Sequence, residues 1–297
     1  MNNYEELAEK IKELGAKRVM LQLPEGLKMK AAGMCLFLQE KGIDAFLSNN
    51  STYGACDLAD TEAKRMGCDI LVHVGHSKFY VDFQTDVPVL YYIWPEKIEL
   101  GTYDFSLIKE RRIGILTSIQ HMELLSDIKS LLEGQGKEAL IGGQMLGCWT
   151  ANAEKIESKI DAFLFVGSGE FHPLALKGKT VYKLDLEKGS VERVDAEKFR
   201  KLRYGRIFRA RDAQTFGILI SSKKGQKEMT GMAEGIKKRL EQKDKKALII
   251  VMNEITDDRL LGIKVDAFIN TACPRIADMQ FTKPFINAED VGILLEE

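Results

Sequence analysis

The sequence predicts an α/β protein built from three repeats with parallel sheets. Two observations carry this prediction: the same order of apolar runs and helical patterns occurs three times, and its spacing is constant. From the first to the third apolar run the separation is 51, 50 and 50 residues, measured from Leu21 to Val72, from Ile115 to Phe165 and from Leu219 to Ile269. A fixed long period indicates repeated structural units rather than chance similarity.

Each repeat opens with a candidate helix, followed by a β-rich run, an amphipathic helical pattern and two further β-rich runs. The opening helices are predicted around Tyr4–Leu14, Phe105–Glu110 and Ala196–Ala210. The strands are predicted at Arg18–Leu23, Asp44–Leu47 and Cys68–Val74, at Arg112–Thr117, Glu138–Ile141 and Ile160–Val166, and at Thr215–Ile220, Ala247–Val251 and Val265–Asn270. Such alternation forms parallel sheets through right-handed crossovers. We therefore expect three small domains, at residues 1–104, 105–195 and 196–297.

The composition excludes several classes of protein. Forty-three Lys and Arg residues balance 44 Asp and Glu residues, so the chain is not a generally basic nucleic-acid binder. No uncharged apolar run approaches the roughly 18 residues that a membrane span needs. The first residues form an amphipathic helical pattern rather than a signal peptide. Five cysteines, an odd number, argue against a disulfide framework and predict a reducing, cytoplasmic location.

Three of the five cysteines fall in loops that follow predicted strands, which is where open parallel sheets bind ligands. Cys56 follows the second strand of the first repeat, Cys148 follows the second strand of the second repeat, and Cys273 follows the third strand of the third repeat. A small residue precedes each of them and leaves room for a bulky ligand. Cys35 and Cys68 instead lie in apolar patterns and are interpreted as core residues.

The cysteine spacing favours an iron–sulfur cluster over zinc. The chain has no C-x-x-C pair, so a zinc ribbon or finger is improbable. It also lacks the compact three-cysteine loop of ordinary radical S-adenosylmethionine enzymes. Three thiolates from three repeats suit a 4Fe-4S cluster in which one iron has no protein ligand. That open position is where a substrate could bind.

Three further post-strand segments are candidates for anion or ligand binding. They are Gln22–Leu27, Gly167–Pro173 and Ser221–Gln226. Free N–H groups at a helix start can receive a carboxylate or phosphate, although ordinary strand–helix turns and solvated lysines explain the same residues. His172 is equally well explained as a turn residue, and His73 as a core residue.

The segment from Lys198 to Arg211 holds seven basic residues and no acidic one, interleaved with three aromatic residues. Such a pattern occurs in RNA-binding segments. An amphipathic helix with a solvated face is the favoured interpretation, and a docking strip for a partner protein is a third.

The stretches LQLPEGL, STYGACD, CDILVHVGHS, LGCW, VGSGEFHP and TACPRIAD resemble the diphthamide-synthesis 3-amino-3-carboxypropyltransferases, in their archaeal homodimeric form. The resemblance runs from about Arg18 to about Leu295. It implies three related α/β domains around a pseudo-threefold centre, with a 4Fe-4S cluster on Cys56, Cys148 and Cys273. It also implies that S-adenosylmethionine is reductively cleaved to a 3-amino-3-carboxypropyl radical. That radical would add to C2 of a histidine imidazole in translation elongation factor 2, the first step of diphthamide formation.

The resemblance further implies a homodimer, an electron donor of unknown identity, and no membrane or direct nucleic-acid partner. We expect S-adenosylmethionine to contact the post-strand loops at Gln22, Pro24, Glu25, Gly26, Gly167, Ser168, Gly169, Lys224 and Gln226. Two alternatives stay open at this point. One is a condensing and dehydrating 4Fe-4S enzyme similar to quinolinate synthase, which also carries one cluster cysteine per domain. The other is an RNA- or ribosome-binding module that uses the basic segment.

Overall fold

The computed structural model describes residues 3–78, 82–94 and 98–296. The helices within these residues are α1 Asn3–Glu13, α2 Lys28–Glu40, α3 Asp60–Arg65, α4 Leu125–Gly134, α5 Ala151–Glu157, α6 Ala196–Ala210, α7 Thr230–Glu241, α8 Asp257–Leu260 and α9 Val291–Glu296. The strands are β1 Arg18–Gln22, β2 Asp44–Ser48, β3 Ile70–Val74, β4 Val89–Tyr92, β5 Arg112–Thr117, β6 Glu138–Gln144, β7 Ala162–Val166, β8 Thr180–Asp185, β9 Ser190–Arg193, β10 Thr215–Ser221, β11 Lys246–Met252, β12 Ala267–Asn270 and β13 Phe285–Asn287.

Each repeat forms its own sheet, and the three sheets share one strand order. They are ordered β2-β1-β3-β4, β6-β5-β7-β8-β9 and β11-β10-β12-β13. All pairs are parallel except β8 with β9. The residues used to measure the repeat spacing lie on paired strands: Leu21 is directly opposite Val72, whereas Phe165 and Ile269 are each one residue away from the partners of Ile115 and Leu219. The predicted fold class of repeated α/β sheets is therefore confirmed.

The chain divides into two compact units. The two-sheet unit comprises Met1–Ile93 with Arg200–Glu297 and contains the first and third sheets. The five-stranded unit comprises Trp94–Phe199 and contains the second sheet. The three domain boundaries expected from the sequence stay a prediction.

An aspartate at the start of each third strand explains why these runs resemble one another so closely. Asp69 accepts hydrogen bonds from the backbone N–H groups of Lys17 and Arg18, at 2.7 and 2.8 Å. Asp161 accepts one from the N–H of Arg112, and Asp266 accepts one from that of Thr215. Each carboxylate thereby ties the entry of the third strand to that of the first. These backbone bonds lower the pKa of Asp69. For Asp161 the Arg112 side chain acts first and the backbone bond second, and together they lower the pKa to about 2. For Asp266 the Thr215 hydroxyl acts first and the backbone bonds second, and they lower its pKa as well.

Alternating side chains of the central strands supply two cores. In β7, Ala162, Leu164 and Val166 face one apolar cluster, whereas Phe163 and Phe165 face another. Because side chains of a strand alternate between its two faces, both faces of the five-stranded sheet are covered by apolar residues. This burial holds the loops after the strands on a rigid frame.

The structure corrects two expectations about the elements. No helix forms at Phe105–Glu110, where the chain is irregular apart from a turn at Ser106 and Leu107. The reason is local: the Gln135 side chain accepts from the Phe105 N–H and donates to the Tyr103 carbonyl, while the Lys137 ammonium binds the Ile108 carbonyl. Side chains thus take the place of helical bonds. The short fourth strands β4, β8 and β13 had no recognisable sequence pattern and were not predicted.

Helix α6 confirms the helix expected at Ala196–Ala210. It also shows what three arginines of the basic segment contact. Arg203 pairs with Asp290, and the Arg206 guanidinium donates to the Ala277 carbonyl at 2.6 Å. Arg209 donates to the Thr282 carbonyl. These arginines therefore bind the loops of the third repeat.

Among the helices in the described ranges, none combines the length and apolar character of a membrane span.

Candidate functional site

The loop that carries Cys56 follows β2, and Asp57, the next residue, closes it with two hydrogen bonds. The Asp57 N–H donates to the Gly54 carbonyl at 3.0 Å, and the Asp57 carboxylate accepts from the Tyr53 N–H at 3.2 Å. From the end of β1, Gln22 donates to the Asp57 carbonyl at 2.8 Å and accepts from the Ala59 N–H at 3.1 Å. The loop that carries Cys56 is therefore fixed from both sides.

A buried lysine joins this loop to the third repeat. Lys223 follows β10, and its ammonium pairs with Asp57 and, at 2.8 Å, with Glu254. Only 8% of Lys223 and 6% of Asp57 are exposed. Burial opposes the charge of Lys223, but the two carboxylates outweigh that effect and raise its pKa. The lysine therefore stays charged, and Asp57 is held in place by residues about 166 positions away.

The two residues after Lys224 touch Cys56 itself. The position of a Cβ on Gly225 would lie within 2.8 Å of three backbone atoms of Cys56. The buried Gln226 donates from Nε2 to Cys56 Sγ at 3.7 Å. Lys224 pairs with Asp60 at 2.7 Å and with Asp86. The segment predicted from sequence as a ligand-binding loop thus lies directly against the cysteine.

We expect Gly225→Ala to disturb the Cys56 loop, because a methyl group at that position meets backbone rather than a flexible side chain. Overpacking of this kind costs about 1–3 kcal/mol. Anaerobic unfolding titrations and iron analysis of the purified variant would measure the effect. Gly231→Ala in α7 is the control, since no atom lies within 4 Å of its Cβ position apart from its chain neighbours and the backbone of its own helix. Equal stability and iron content in the two variants would contradict the contact.

Cys273 lies just beyond β12 at the start of a short 3₁₀ helix, Pro274–Asp278. The Asn270 side chain accepts from the Ala272 N–H and donates to the Cys273 carbonyl, both at 3.0 Å. Tyr53, from the Cys56 loop, packs against the same apolar cluster as Cys273. Burial, and then the negative charge of Glu254, raise the pKa of Tyr53. Tyr53 therefore lies close to both cysteine loops of the two-sheet unit.

A cavity of about 500 Å³ opens beside Tyr53 between the first and third repeats. Its lining includes Pro24, Glu25, Gly26, Tyr53, His76 and Arg275. The first three of these were predicted from the sequence. His76 and Arg275 were missed, although both lie in motifs that follow third strands. Gln22, which was also predicted, is absent from this lining, and its amide instead holds the Cys56 loop.

In the five-stranded unit, Cys148 is exposed on a tight turn after β6. Leu146 and Trp149 close the turn with two reciprocal backbone hydrogen bonds of 3.0 Å. The Gly147 N–H donates to His172 Nδ1 at 2.9 Å, and the Phe171 ring occupies the place where a Gly147 Cβ would be. His172 therefore stabilises the turn that carries Cys148, in addition to the turn role that the sequence predicted for it.

The predicted segment Gly167–Pro173 follows β7 and carries Phe171 and His172, the residues that hold this turn. Gly167 and Gly169 have φ values of 141° and 77°, which glycine adopts without strain. Buried Lys183 binds Glu170 of the same loop at 2.5 Å. Ser168 and Gly169 are exposed at the end of the strand, so a ligand has access to them.

A scan against protein-family models matches residues 23–297 to the family of diphthamide synthesis proteins. This chain belongs to that family. The resemblance inferred from the TYGAC and ACPR motifs is thereby confirmed.

Relatives of this family member cover nearly all of its length. It is 36% identical to 2-(3-amino-3-carboxypropyl)histidine synthase of Pyrococcus horikoshii, over 98% of this chain and 89% of the relative. It is 32% identical to subunit 1 of the enzyme of that name in Schizosaccharomyces pombe, over 88% of this chain and 65% of the relative. The crystal structure of Dph2 from Pyrococcus horikoshii matches with a TM-score of 0.88 at 35% identity, covering 98% of this chain and 90% of that one. Dph2 from the same organism with a 4Fe-4S cluster matches with a TM-score of 0.85 at 34% identity, covering 99% and 90%.

Thiolates are the protein ligands that iron–sulfur clusters take, and this diphthamide synthesis protein carries one candidate cysteine after a strand of each sheet. Within the described ranges, no three His, Cys, Asp or Glu side chains group closely enough to hold a single metal ion. The Gln226 amide also donates to Cys56 Sγ, which is the kind of bond that tunes cluster sulfurs.

Proposed function

We propose that this protein is a 2-(3-amino-3-carboxypropyl)histidine synthase, which catalyses the first step of diphthamide formation. It transfers the 3-amino-3-carboxypropyl group of S-adenosylmethionine to C2 of a histidine imidazole in translation elongation factor 2. The observation that carries the proposal is the 36% identity, over 98% of the chain, to the Pyrococcus horikoshii enzyme of that name.

Cys56, Cys148 and Cys273 would hold a 4Fe-4S cluster, with one thiolate from each repeat. When bound, the cluster supplies the single electron that cleaves the bond between the sulfonium sulfur and the methionine γ-carbon. The protein's part is to fix the thiolates and the substrate. Asp57 and Gln226 support Cys56, Asn270 supports Cys273, and His172 supports the turn of Cys148. Such supporting hydrogen bonds orient ligands and tune the metal centre.

The cavity next to Tyr53 suits the methionine part of S-adenosylmethionine. Its lining carries a cation, Arg275, and the carboxylates of Glu25 and Asp278. The amino acid end of the ligand is a zwitterion, so Arg275 matches its carboxylate and the two acids match its ammonium. The exposed loop at Gly167–Gly169 and the residues Lys224 and Gln226 stay predicted contacts. For Lys224 and Gln226, the contacts described above favour a role in fixing the Cys56 loop.

The partners follow from the same proposal. Elongation factor 2 is the protein substrate, a second copy of the chain completes a homodimer, and an electron donor of unknown identity supplies the electron. Because the protein substrate is a translation factor, the reaction takes place in the cytoplasm, as the five cysteines without disulfides also suggest.

The products of S-adenosylmethionine cleavage test this function directly. Anaerobically reconstituted protein, incubated with S-adenosylmethionine, dithionite and elongation factor 2, should release methylthioadenosine and modify one histidine. The seating of the ligand decides which of three sulfonium bonds lies nearest the reactive iron, and a shift of about 1 Å can cost about 100-fold in rate. Chromatography of the nucleosides and mass spectrometry of the factor measure both products.

The competing readings predict other products. A dominant 5'-deoxyadenosine peak would overturn the cleavage mechanism even with the cluster in place. Quinolinate formed from dihydroxyacetone phosphate and iminoaspartate would identify a condensing enzyme. Colourless protein that binds RNA with a steep salt dependence would indicate a nucleic-acid-binding module.

A further inference from the structure

Two histidines at the end of β3 form a hydrogen-bonded pair that reaches the cavity of the two-sheet unit. His73 is fully buried within β3, and His76 lies beyond the strand and lines the cavity. His73 Nε2 lies 3.0 Å from His76 Nδ1, and the ring centroids are 5.1 Å apart. One nitrogen of this pair must donate and the other must accept, so the other contacts of His73 determine which nitrogen carries each proton.

The orientation of Gln22 fixes the first proton. Its Nε2 donates to the Asp57 carbonyl and its Oε1 accepts from the Ala59 N–H, so the two ends of the amide cannot be exchanged. His73 Nδ1 lies 3.0 Å from the same Oε1. Because an amide oxygen only accepts, His73 Nδ1 carries a proton and donates it to Gln22.

Burial fixes the second proton. Loss of solvation and then the neighbouring His76 lower the pKa of His73 to about 3, so this imidazole is neutral at physiological pH. With its single proton on Nδ1, its Nε2 presents a lone pair to His76 Nδ1. His76 must therefore donate from Nδ1, and in the neutral ring the lone pair of His76 lies on Nε2.

The proposed transfer reaction needs a group with that property. The sulfonium of S-adenosylmethionine carries one positive charge, and methylthioadenosine carries none. At the target histidine, a C2–C bond forms and the C2–H bond breaks, so one proton leaves for each transfer. The electron that opens the sulfonium bond is given back when the imidazole regains aromaticity, so no net reductant is consumed. A base close to C2 would accelerate this last step.

We propose that His76 Nε2 is the base that accepts the C2 proton of the target histidine after the 3-amino-3-carboxypropyl group has added. The proposal rests on the proposed function and adds a catalytic residue to it. His73 and Gln22 act as positioning residues, since their hydrogen bonds select the tautomer of His76. The charged groups on the cavity lining around His76 are Glu25, Arg275 and Asp278.

The test separates cleavage of S-adenosylmethionine from modification of the protein. His76→Asn places an amide nitrogen where Nδ1 was, so the donor to His73 is retained while the base is removed. In a single turnover we expect the substitution to slow modification about 100-fold more than it slows methylthioadenosine release, which is the lower range for loss of a general base. A primary isotope effect should appear when the target histidine carries deuterium at C2, and added imidazole should partly restore the rate.

The controls keep the outcomes distinct. Iron content and unfolding temperature must equal those of the wild type, and His76→Gln serves as a second variant if His76→Asn does not fold. Modification at the wild-type rate, or an equal slowing of cleavage and modification, would overturn the role of His76. Absence of methylthioadenosine from the wild-type protein would instead reject the proposed function.

Discussion

Replacing Cys56, Cys148 or Cys273 with Ala should remove most of the iron and abolish methylthioadenosine formation. A cluster that already has one iron without a protein ligand keeps only two thiolates in each variant. Anaerobic iron analysis, with about four irons per chain expected in the wild type, and the absorption spectrum measure the loss. Because a bound cluster stabilises only the folded protein, the variants should also unfold at lower temperature.

Cys35→Ala and Cys68→Ala are the matched controls and should keep the iron. Cys35 lies on α2 and Cys68 begins the run into β3, and burial raises the pKa of both thiols. A thiol with a raised pKa is a poor source of the thiolate that iron binds. Full iron retention in Cys148→Ala would contradict the assignment of one ligand to each repeat.

The sequence was most informative where a pattern is local or periodic. The constant separation of about 50 residues located three parallel sheets, and the structure places each candidate cysteine just beyond a strand of its own sheet, β2, β6 and β12. The aspartates at the starts of the third strands show why the match is best there. In each sheet the aspartate carboxylate accepts a hydrogen bond from a backbone N–H group at the entry to the first strand.

Contacts between repeats could not be predicted in the same way. Lys223 and Lys224 follow a strand, and an anion site or a solvated surface explained them equally well. The structure instead pairs Lys223 with Asp57 and Lys224 with Asp60. These partners are separated by more than 160 residues, and nothing in the local pattern indicates which carboxylate each lysine meets. His76 was not among the predicted contacts for a similar reason, since the role proposed for it depends on Gln22 and on the cavity between the first and third repeats.

Lys223→Met should lower the free energy of unfolding by about 3–5 kcal/mol, the range for removing one partner of a buried ion pair. The change keeps most of the side-chain volume but leaves the buried carboxylates of Asp57 and Glu254 without their cation. Anaerobic urea titrations of wild type and variant measure the difference. Lys237→Met is the control, because its pair with Glu241 is exposed and is expected to contribute about 0–1 kcal/mol. Equal effects of the two substitutions would show that the Lys223 contact is weak.

The pH dependence distinguishes lost charge pairing from lost packing in Lys223→Met. Burial already raises the pKa of Asp57 in the presence of the ammonium, and removing the cation raises it further. A group whose pKa is higher in the folded state favours folding at low pH and loses that contribution as the pH rises through its folded pKa. The deficit of Lys223→Met relative to wild type should therefore shrink as the pH falls from 7 towards 5. Adding Asp57→Asn and Glu254→Gln should recover part of the stability at pH 7, whereas a deficit that is constant with pH and unchanged by these substitutions would assign the loss to packing.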